Sequence, residues 1–253
     1  MVCRLENNIL HTVARYVLTT CADNSSSWFI QIKELCHQYQ LPHPLTLLES
    51  SSSSKETFKH LVKAKVHTFW EEKLRLESSK LDSLIFFKPQ YMSLSIPHPL
   101  ITTCGSNPYE INKAIIQLKF LSGRYRTDKL LAHFHKSNSP TCQLSCDKPD
   151  APGDLQHLLV QCSALSSRRE VLFEYWDVLA STNPVCSALV NSIKQGPEET
   201  FLQFLLDCSA VPEVSQLTGN SGAEVLPSLF KMTRTYCYSI HRERLKLLNR
   251  WRS

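Results

Sequence analysis

Glycine is scarce in this chain, with 6 glycines among 253 residues. Folds with many tight turns and Gly-rich phosphate loops need more glycine, so the scarcity argues against both and favours helices. The chain has no apolar run of 18 or more residues, which argues against a membrane span. Residues 1–20 are broken by polar side chains and lack the apolar core of a signal peptide, so we expect an intracellular protein, cytoplasmic or nuclear.

Sequence signatures of catalysis are also missing. No two aspartates are adjacent, so the chain lacks the paired-aspartate motif of polymerases, and the G-x-S-x-G elbow of hydrolases is absent. Cys104 precedes Gly105 and Ser106, but no base partner is recognisable by its spacing. We therefore expect a protein that is not an enzyme and has no small-molecule substrate.

The composition is that of a globular protein with a basic end. Apolar residues make up 42% and charged residues 20% of the chain, and the length permits one large domain or two smaller ones. The net charge is +5, and residues 231–253 hold seven lysines and arginines against one acid. The basicity therefore belongs to the last segment rather than to the chain as a whole.

Apolar residues recur at helical spacing over much of the chain, which predicts a mainly α fold. We expect helices at about 28–39, 55–74, 108–121, 127–134, 167–179, 197–205 and 222–251. Pro42 and Pro44 are expected to stop the first of them. In the 108–121 helix the expected buried stripe is Ile111, Ala114, Ile115, Leu118 and Leu121.

Linker composition divides the chain into five segments. They are an N-terminal helical segment (1–49), a Ser-rich linker (50–54), an amphipathic helix with a Pro-rich loop (55–107), helices with a Cys/His-rich loop (108–181), and a C-terminal helical region with a basic last helix (182–253). No solenoid-type repeat is evident.

The Cys/His-rich loop carries the strongest chemical signal. Cys142, Cys146, His157 and Cys162 have the spacing C-x3-C-x10-H-x4-C. Three thiolates and an imidazole suit tetrahedral zinc, and four protein ligands leave no open position for a catalytic water. We therefore expect one structural zinc ion in an irregular, proline-bent loop. The alternative is a set of free buried thiols and a core histidine.

The position of Cys162 after His157 and the presence of two further histidines both bear on the expected zinc site. Residues five apart on an ideal α-helix lie about 140° out of register, so Cys162 must sit where the helix after His157 loosens. His133 and His135 are rival ligands, although ordinary surface positions on a helix suit them better.

These residues give the chain a resemblance to a known family. The stretches GSNPYEINKAIIQLKFLSGRYRTDKLLAHF, DLQHLLVQCSALSSRRE and LFKMTRTYCYSIHRERLKLL resemble the region downstream of the reverse transcriptase in LINE-type (non-LTR) retrotransposon polyproteins. Upstream, SWFIQIKELCHQYQLPHPLTLL and FKHLVKAKVHTFWEEKL are also similar, so the resemblance covers roughly residues 28–251. The spacer of ten residues between Cys146 and His157 is longer than is usual in that family.

The resemblance implies zinc on the four residues of the motif and a role in holding template RNA or target DNA during reverse transcription. The endonuclease and polymerase domains of such a polyprotein are absent from this sequence. By resemblance the chain is the tail of the polyprotein without its enzymes.

Two basic stretches are candidate nucleic-acid contacts. In the turn after the 108–121 helix, Arg124 and Arg126 flank Tyr125, so arginines could hold phosphates while the aromatic ring stacks on an unpaired base. A helical wheel of the last helix gathers a second set of cations opposite its apolar face, namely Lys231, Arg234, Arg242, Lys246 and Arg250. The plainer interpretations are an inward-packed Tyr125 and a solvated helix face.

The sequence therefore predicts a zinc-containing module that binds RNA or DNA through the backbone, without sequence preference. Its second interpretation is a helical protein-interaction scaffold, or an inert retroelement remnant, in which zinc only holds the fold together. The oligomeric state cannot be read from the sequence.

Overall fold

The computed structural model describes residues 12–13, 15–16, 28–49, 54–88, 96–136, 139–148, 150–182, 184–215 and 220–250. The chain divides into two compact units, 1–76 and 77–253. The described residues form helices and no strand, which confirms the predicted mainly α fold. None of the described helices combines the length and the apolar content that crossing a lipid bilayer requires.

The helices of the described residues are numbered in chain order. They are α1 (Trp28–Gln38), α2 (Pro44–Glu49), α3 (Lys55–Ser78), α4 (Pro99–Thr102), α5 (Pro108–Leu121), α6 (Asp128–His133), α7 (Ser166–Thr182), α8 (Pro184–Gln195), α9 (Glu198–Leu206), α10 (Pro212–Ser215) and α11 (Asn220–Arg250). Short 3₁₀ turns lie at Asp82–Leu84, Ser163–Leu165 and Cys208–Ala210, and a π-helical turn lies at His157–Gln161.

Four helices were not expected from the sequence, α2, α4, α8 and α10, and each of them begins at a proline. Pro44 was predicted to stop a helix, but it is the first residue of α2, and Pro184 opens α8. Proline is compatible with the first helical turn because the backbone N–H that it lacks would have no helical partner there. In all four cases a proline therefore marks the start of a helix.

In the first unit, α1 and α3 supply the aromatic and apolar contacts. Ile30 and Cys36 of α1 are buried. The ring of Tyr39, just after α1, meets Phe69 of α3 edge to face at a centroid distance of 5.0 Å. Edge-to-face pairs of this kind stabilise packing by about 0.5–1.5 kcal/mol beyond the buried area.

In the second unit, α11 is the central helix and packs against α5, α7 and α9. Its predicted apolar side faces the core: Leu229, Phe230, Tyr236, Cys237 and Ile240 are buried, and Leu247 and Leu248, near the end of the helix, are partly buried. Because α11 contacts elements on both sides of the Cys/His-rich loop, the predicted segments 108–181 and 182–253 belong to one folded body.

Helix α5 turns a different face to the core from the one predicted. Ala114 and Leu121 are buried, but Ile111, Ile115 and Leu118 are 39%, 44% and 42% exposed. The buried face is instead Lys113, Ala114, Ile116, Gln117, Phe120 and Leu121.

Gln117 explains the register of α5. Its side chain is fully buried, and Nε2 donates hydrogen bonds to the carbonyl oxygens of Leu205 (2.8 Å) and Leu206 (3.2 Å) and to Oγ1 of Thr233 (3.0 Å). Carbonyls at the end of a helix lack helical partners, so this amide satisfies the end of α9 and joins it to α5 and α11.

Candidate metal centre and adjoining groove

The loop that carries the first two cysteines is held by backbone hydrogen bonds across its proline-rich spacer. Thr141 and Pro152 form an isolated antiparallel bridge. The N–H of Cys142 donates to the Ala151 carbonyl at 2.9 Å, and the N–H of Gly153 donates to the Pro140 carbonyl at 2.8 Å. The spacer therefore folds back on the chain and brings His157 towards the cysteines, as its prolines and glycine predicted.

The turn between Cys142 and Cys146 ends in a residue with left-handed backbone. Ser145 has a φ of 51°. A left-handed residue reverses the chain sharply, so the second cysteine returns towards the first. The N–H of Asp147 then donates to Oγ of Ser163 at 3.1 Å, and this bond ties the end of the turn to the segment after Cys162.

The loosened helix expected after His157 is a π-helical turn. Residues His157–Gln161 are π-helical, and the N–H of Cys162 donates to the His157 carbonyl at 2.7 Å. Such an i→i+5 bond closes one wider helical turn, so residues five apart stand on the same side of the helix. The bond that defines this turn joins the two candidate ligands themselves.

The four predicted ligand residues meet in one cluster. One ligand atom from each of Cys142, Cys146, His157 and Cys162 lies within 4.8 Å of all the others. Sγ of Cys142 is 3.9 Å from Sγ of Cys162, and Sγ of Cys146 is 3.5 Å from Nε2 of His157. With zinc–sulfur and zinc–nitrogen bonds of ~2.3 and ~2.0–2.1 Å, a tetrahedron has S–S and S–N edges of about 3.8 and 3.6 Å. The cluster has the dimensions to hold a metal ion.

The protonation of two members of the cluster, Cys162 and His157, suits metal binding. The hydrogen bond between the two sulfurs raises the pKa of Cys142 and lowers the pKa of Cys162, so Cys162 is the first of the pair to become a thiolate. Burial lowers the pKa of His157, which keeps the imidazole neutral near pH 7. Neutral imidazole and thiolate are the forms that bind a metal.

Neighbouring side chains fix the backbone that carries the ligands. Nη2 of Arg169 donates to the Cys162 carbonyl at 2.5 Å, and the Tyr236 hydroxyl of α11 donates to the Leu159 carbonyl. Three thiolates and a divalent ion sum to a charge of about −1, which the Arg169 guanidinium complements. Sequence reasoning missed both residues, because Arg169 reads as an ordinary cation at the start of a helix and Tyr236 is far from the motif in the chain.

Gly153 is a position where any side chain would disturb this loop. A Cβ there would lie 2.6 Å from Cβ of Asp128 and 3.1 Å from the carbonyl oxygens of Pro140 and Thr141. We expect Gly153→Ala to destabilise the protein by about 1–3 kcal/mol through overpacking, and to weaken metal binding in a competition titration with a chromophoric chelator. Gly105→Ala is the control: its φ of 60° makes an alanine there strained and destabilising, but a Cβ meets nothing within 4 Å and the position lies outside this loop. Equal metal affinities for the two variants would contradict this role of Gly153.

A buried ion pair joins α11 to the segment 139–162 that carries the four candidate ligands, called the metal-binding loop below. Oδ1 of Asp128 accepts a hydrogen bond from Nη2 of Arg244 at 2.7 Å, while Oδ2 accepts one from the N–H of Gln143 at 3.2 Å. Nη1 of Arg244 donates to the Arg126 carbonyl at 2.9 Å. Asp128 and Arg244 have exposed side-chain fractions of 9% and 6%. The pair fixes the loop and the 124–126 turn against one helix.

A large basic groove lies between α5, the 124–126 turn, α11 and the metal cluster. It has a volume of about 1160 Å³, and Cys142 and Cys146 form part of its wall. Its lining holds the cations Lys119, Arg124, Arg126, Lys136 and Arg244. Asp128, already paired with Arg244, is the one acid among the described lining residues. The groove is therefore strongly positive.

The predicted contacts in the 124–126 turn divide between surface and interior. Arg124 and Arg126 are exposed and line the groove. Tyr125 is 6% exposed, its ring stacks on Phe120 at a centroid distance of 3.9 Å, and its hydroxyl lies 3.0 Å from Nδ1 of His241. The prediction that Tyr125 stacks on a base is corrected, because Phe120 already covers its ring.

The predicted basic face of α11 loses one member. Lys231, Arg242 and Lys246 are exposed, and Nζ of Lys246 lies 3.6 Å from Oε2 of Glu243. The side chain of Arg250 lies outside the described residues. Arg234 is 1% exposed and cannot reach a phosphate, so its prediction as a nucleic-acid contact is wrong.

The buried guanidinium of Arg234 has protein partners. Nη1 donates to Oγ1 of Thr103 at 2.7 Å, and Nη2 donates to the Thr103 carbonyl and to Oε2 of Glu110, both at 3.2 Å. Burial raises the pKa of Glu110, but the hydrogen bonds and charges of Lys113 and Arg234 outweigh it and leave that pKa below its ordinary value. Arg234 is thus a core residue that joins α11 to α4 and α5.

The rival histidines do not join the metal cluster. His133 and His135 are both exposed, and the metal-competent group found within the described ranges contains neither.

No protein-family model matches the chain, and neither a curated protein nor a solved structure does. Function is therefore inferred from the metal cluster and the groove.

Proposed function

We propose that this protein is a non-catalytic nucleic-acid-binding module whose fold is held by one structural zinc ion. The observation that carries the proposal is the position of the groove: four exposed cations surround a concave surface whose wall is the metal-binding loop. Phosphate backbones bind to such arrays of lysine and arginine, with an affinity that falls as salt rises.

Zinc is the metal that this ligand set favours. Three thiolates and one imidazole at tetrahedral distances suit zinc better than calcium or magnesium, which prefer oxygen ligands. All four positions are filled by protein, so the ion has a structural role. We place the protein inside the cell, where a reducing environment keeps these thiols available for metal.

The groove is a better candidate than the outer face of α11. Arg124 and Arg126 are exposed, and neither has an ion pair with an acid among the described residues. On α11, by contrast, Glu243 lies close to Lys246 and reduces the charge of that face. Arg242, Lys246 and Lys231 remain proposed secondary contacts.

The direct test is a double charge reversal in the groove, Arg124→Glu with Arg126→Glu. Each lost charge-assisted contact is worth about 1.5–3 kcal/mol, so we expect the affinity for a nucleic-acid oligonucleotide to fall at least about tenfold. The slope of log K against log salt should also become shallower by about 0.7 per lost phosphate contact for a single strand. Fluorescence anisotropy at several salt concentrations measures both quantities.

The matched control is Lys59→Glu with Lys63→Glu on α3, which makes the same change in net charge on exposed residues of the first unit. We expect it to leave the affinity within about twofold, since neither lysine is among the lining residues of the groove. Zinc content and thermal unfolding should be those of the unaltered protein in both variants. Equal losses in the two variants would show that net charge alone, and not the groove, determines binding.

A second function is favoured by a separate observation. Ile111, Ile115 and Leu118 form an exposed apolar stripe along α5, and stripes of this kind can mark contacts with other proteins. A protein-interaction scaffold with purely structural zinc would bind zinc but show no salt-dependent affinity for nucleic acid. The anisotropy titration over a range of salt concentrations therefore separates the two functions.

The origin that we propose for the module is the tail of a LINE-type retrotransposon polyprotein. The stretches 105–134, 154–170 and 229–248 support this origin by their resemblance to that family. In the structure these three stretches supply α5 and α6, the second half of the metal cluster, and most of α11. The first and third of these stretches supply most of the residues that line the groove.

A further inference from the structure

The lining of the basic groove is apolar as well as charged. Ile116, Leu131, Leu245 and Leu248 line it together with the cations. Leu245 is 43% exposed, so an apolar surface is open to a ligand, while Ile116 is 9% exposed. A ligand that fits this lining needs negative charges together with exposed flat apolar faces.

A single nucleic-acid strand has that distribution and a double helix does not. In an unpaired strand the base faces are free to pack on apolar or aromatic surfaces while the phosphates follow a cationic rim. In a duplex the base faces are stacked inside, and a convex cylinder of phosphates meets the protein. A duplex therefore offers no base faces to the apolar residues that line the groove.

The size of the groove agrees with a strand. Its volume of about 1160 Å³ exceeds the roughly 300–1,000 Å³ of ordinary small-molecule pockets, which leaves room for several nucleotides. The buried Asp128–Arg244 pair and the metal-binding loop fix two of its walls, so the groove is formed before a ligand arrives. A preformed site loses less conformational entropy on binding.

We propose that the groove binds an unpaired strand, with phosphates on Lys119, Arg124, Arg126 and Lys136 and base faces against Leu245 and Leu248. This inference rests on the proposed nucleic-acid binding and specifies its ligand. The strand lies across the face formed by α5, the 124–126 turn and α11, with the metal-binding loop at one side.

The test compares a fluorescein-labelled DNA oligonucleotide as a single strand and as a duplex of the same sequence, using the zinc-loaded full chain. We expect the single strand to bind at least about tenfold more tightly at the same salt concentration. Leu245→Ser should weaken strand binding by about fivefold to tenfold, because the apolar contact with a base face is lost, and should leave the weak duplex affinity and the salt slope unchanged.

Leu118→Ser is the matched control, because Leu118 is 42% exposed on α5 and is not among the lining residues of the groove. It should change neither affinity. Equal or tighter binding of the duplex would overturn the strand inference while leaving nucleic-acid binding in place. Strand binding that Leu245→Ser does not alter would overturn it too. Failure of both oligonucleotides to bind would remove the proposed function itself.

Discussion

Replacing Cys162 with alanine should abolish tight metal binding and lower the melting temperature by roughly 10 °C or more. Cys162 is fully buried, and its backbone carries both the bond that closes the π-helical turn and the carbonyl that Arg169 binds. Without it the metal keeps at most three protein ligands. Structural zinc in small domains contributes about 10–16 kcal/mol of apparent binding free energy, and much of that stabilisation is lost with one ligand.

The measurement is a thermal melt with and without a strong chelator, beside metal analysis of the purified protein. The unaltered protein should melt at a lower temperature in chelator, whereas Cys162→Ala should melt low in either buffer. Cys237→Ala is the control: Cys237 is a fully buried thiol of α11 outside the cluster. That variant loses some packing but should keep its metal and its response to chelator. A Cys162→Ala protein with stoichiometric metal would show that these residues are not the ligands.

Loss of the metal should spread beyond the loop, because core residues flank the ligands in the chain. Leu158 and Leu159 lie between His157 and Cys162, and Leu165 follows three residues later; all are buried. The Leu159 carbonyl also accepts the hydrogen bond of Tyr236 from the central helix. A metal ion held by this cluster would therefore stabilise the packing of α11 as well as the proline-rich spacer.

The ligand set was predictable from spacing, while the geometry that assembles it was only partly so. Cysteines separated by a short turn, with a histidine and a cysteine beyond a proline-bent spacer, are enough to name four residues. The sequence also shows that an ideal α-helix cannot present His157 and Cys162 together. It does not show that a π-helical turn provides the solution, because that turn depends on Arg169 and Tyr236, which come from helices later in the chain.

The errors on α5 and α11 have a common physical cause. A helical wheel assigns lysine, arginine and glutamine to the solvent side, whereas Gln117 and Arg234 lie in the core. Each is fixed there by hydrogen bonds to groups far away in sequence, such as the Leu205 carbonyl and Thr103. A polar group can be buried when it has hydrogen-bond partners. Those partners belong to other elements of the fold, so the sequence of a single helix does not reveal them. Tyr125 is buried for the same reason, since its hydroxyl forms a hydrogen bond with Nδ1 of His241, which is far away in the sequence.

The second large effect is expected at the buried pair that joins the metal-binding loop to α11. Asp128→Ala would leave the guanidinium of Arg244 buried without its carboxylate, and would also remove the acceptor for the N–H of Gln143. Removing one partner of a buried ion pair typically destabilises a protein by about 3–5 kcal/mol. Chemical denaturation should show that loss as a lower midpoint, since the free energy of unfolding falls while the exposed area of unfolding does not.

An exposed ion pair of the same unit provides the comparison. Asp177 and Lys194 join α7 to α8 with a distance of 2.6 Å, but their side chains are 69% and 30% exposed. Asp177→Ala should therefore cost less than about 1 kcal/mol, because water screens such pairs. The double variant Asp128→Ala with Arg244→Met should be more stable than Asp128→Ala alone, because no unpaired charge then remains buried. If the double variant were instead the less stable of the two, the cost at Asp128 would come from lost packing and not from the stranded charge of Arg244.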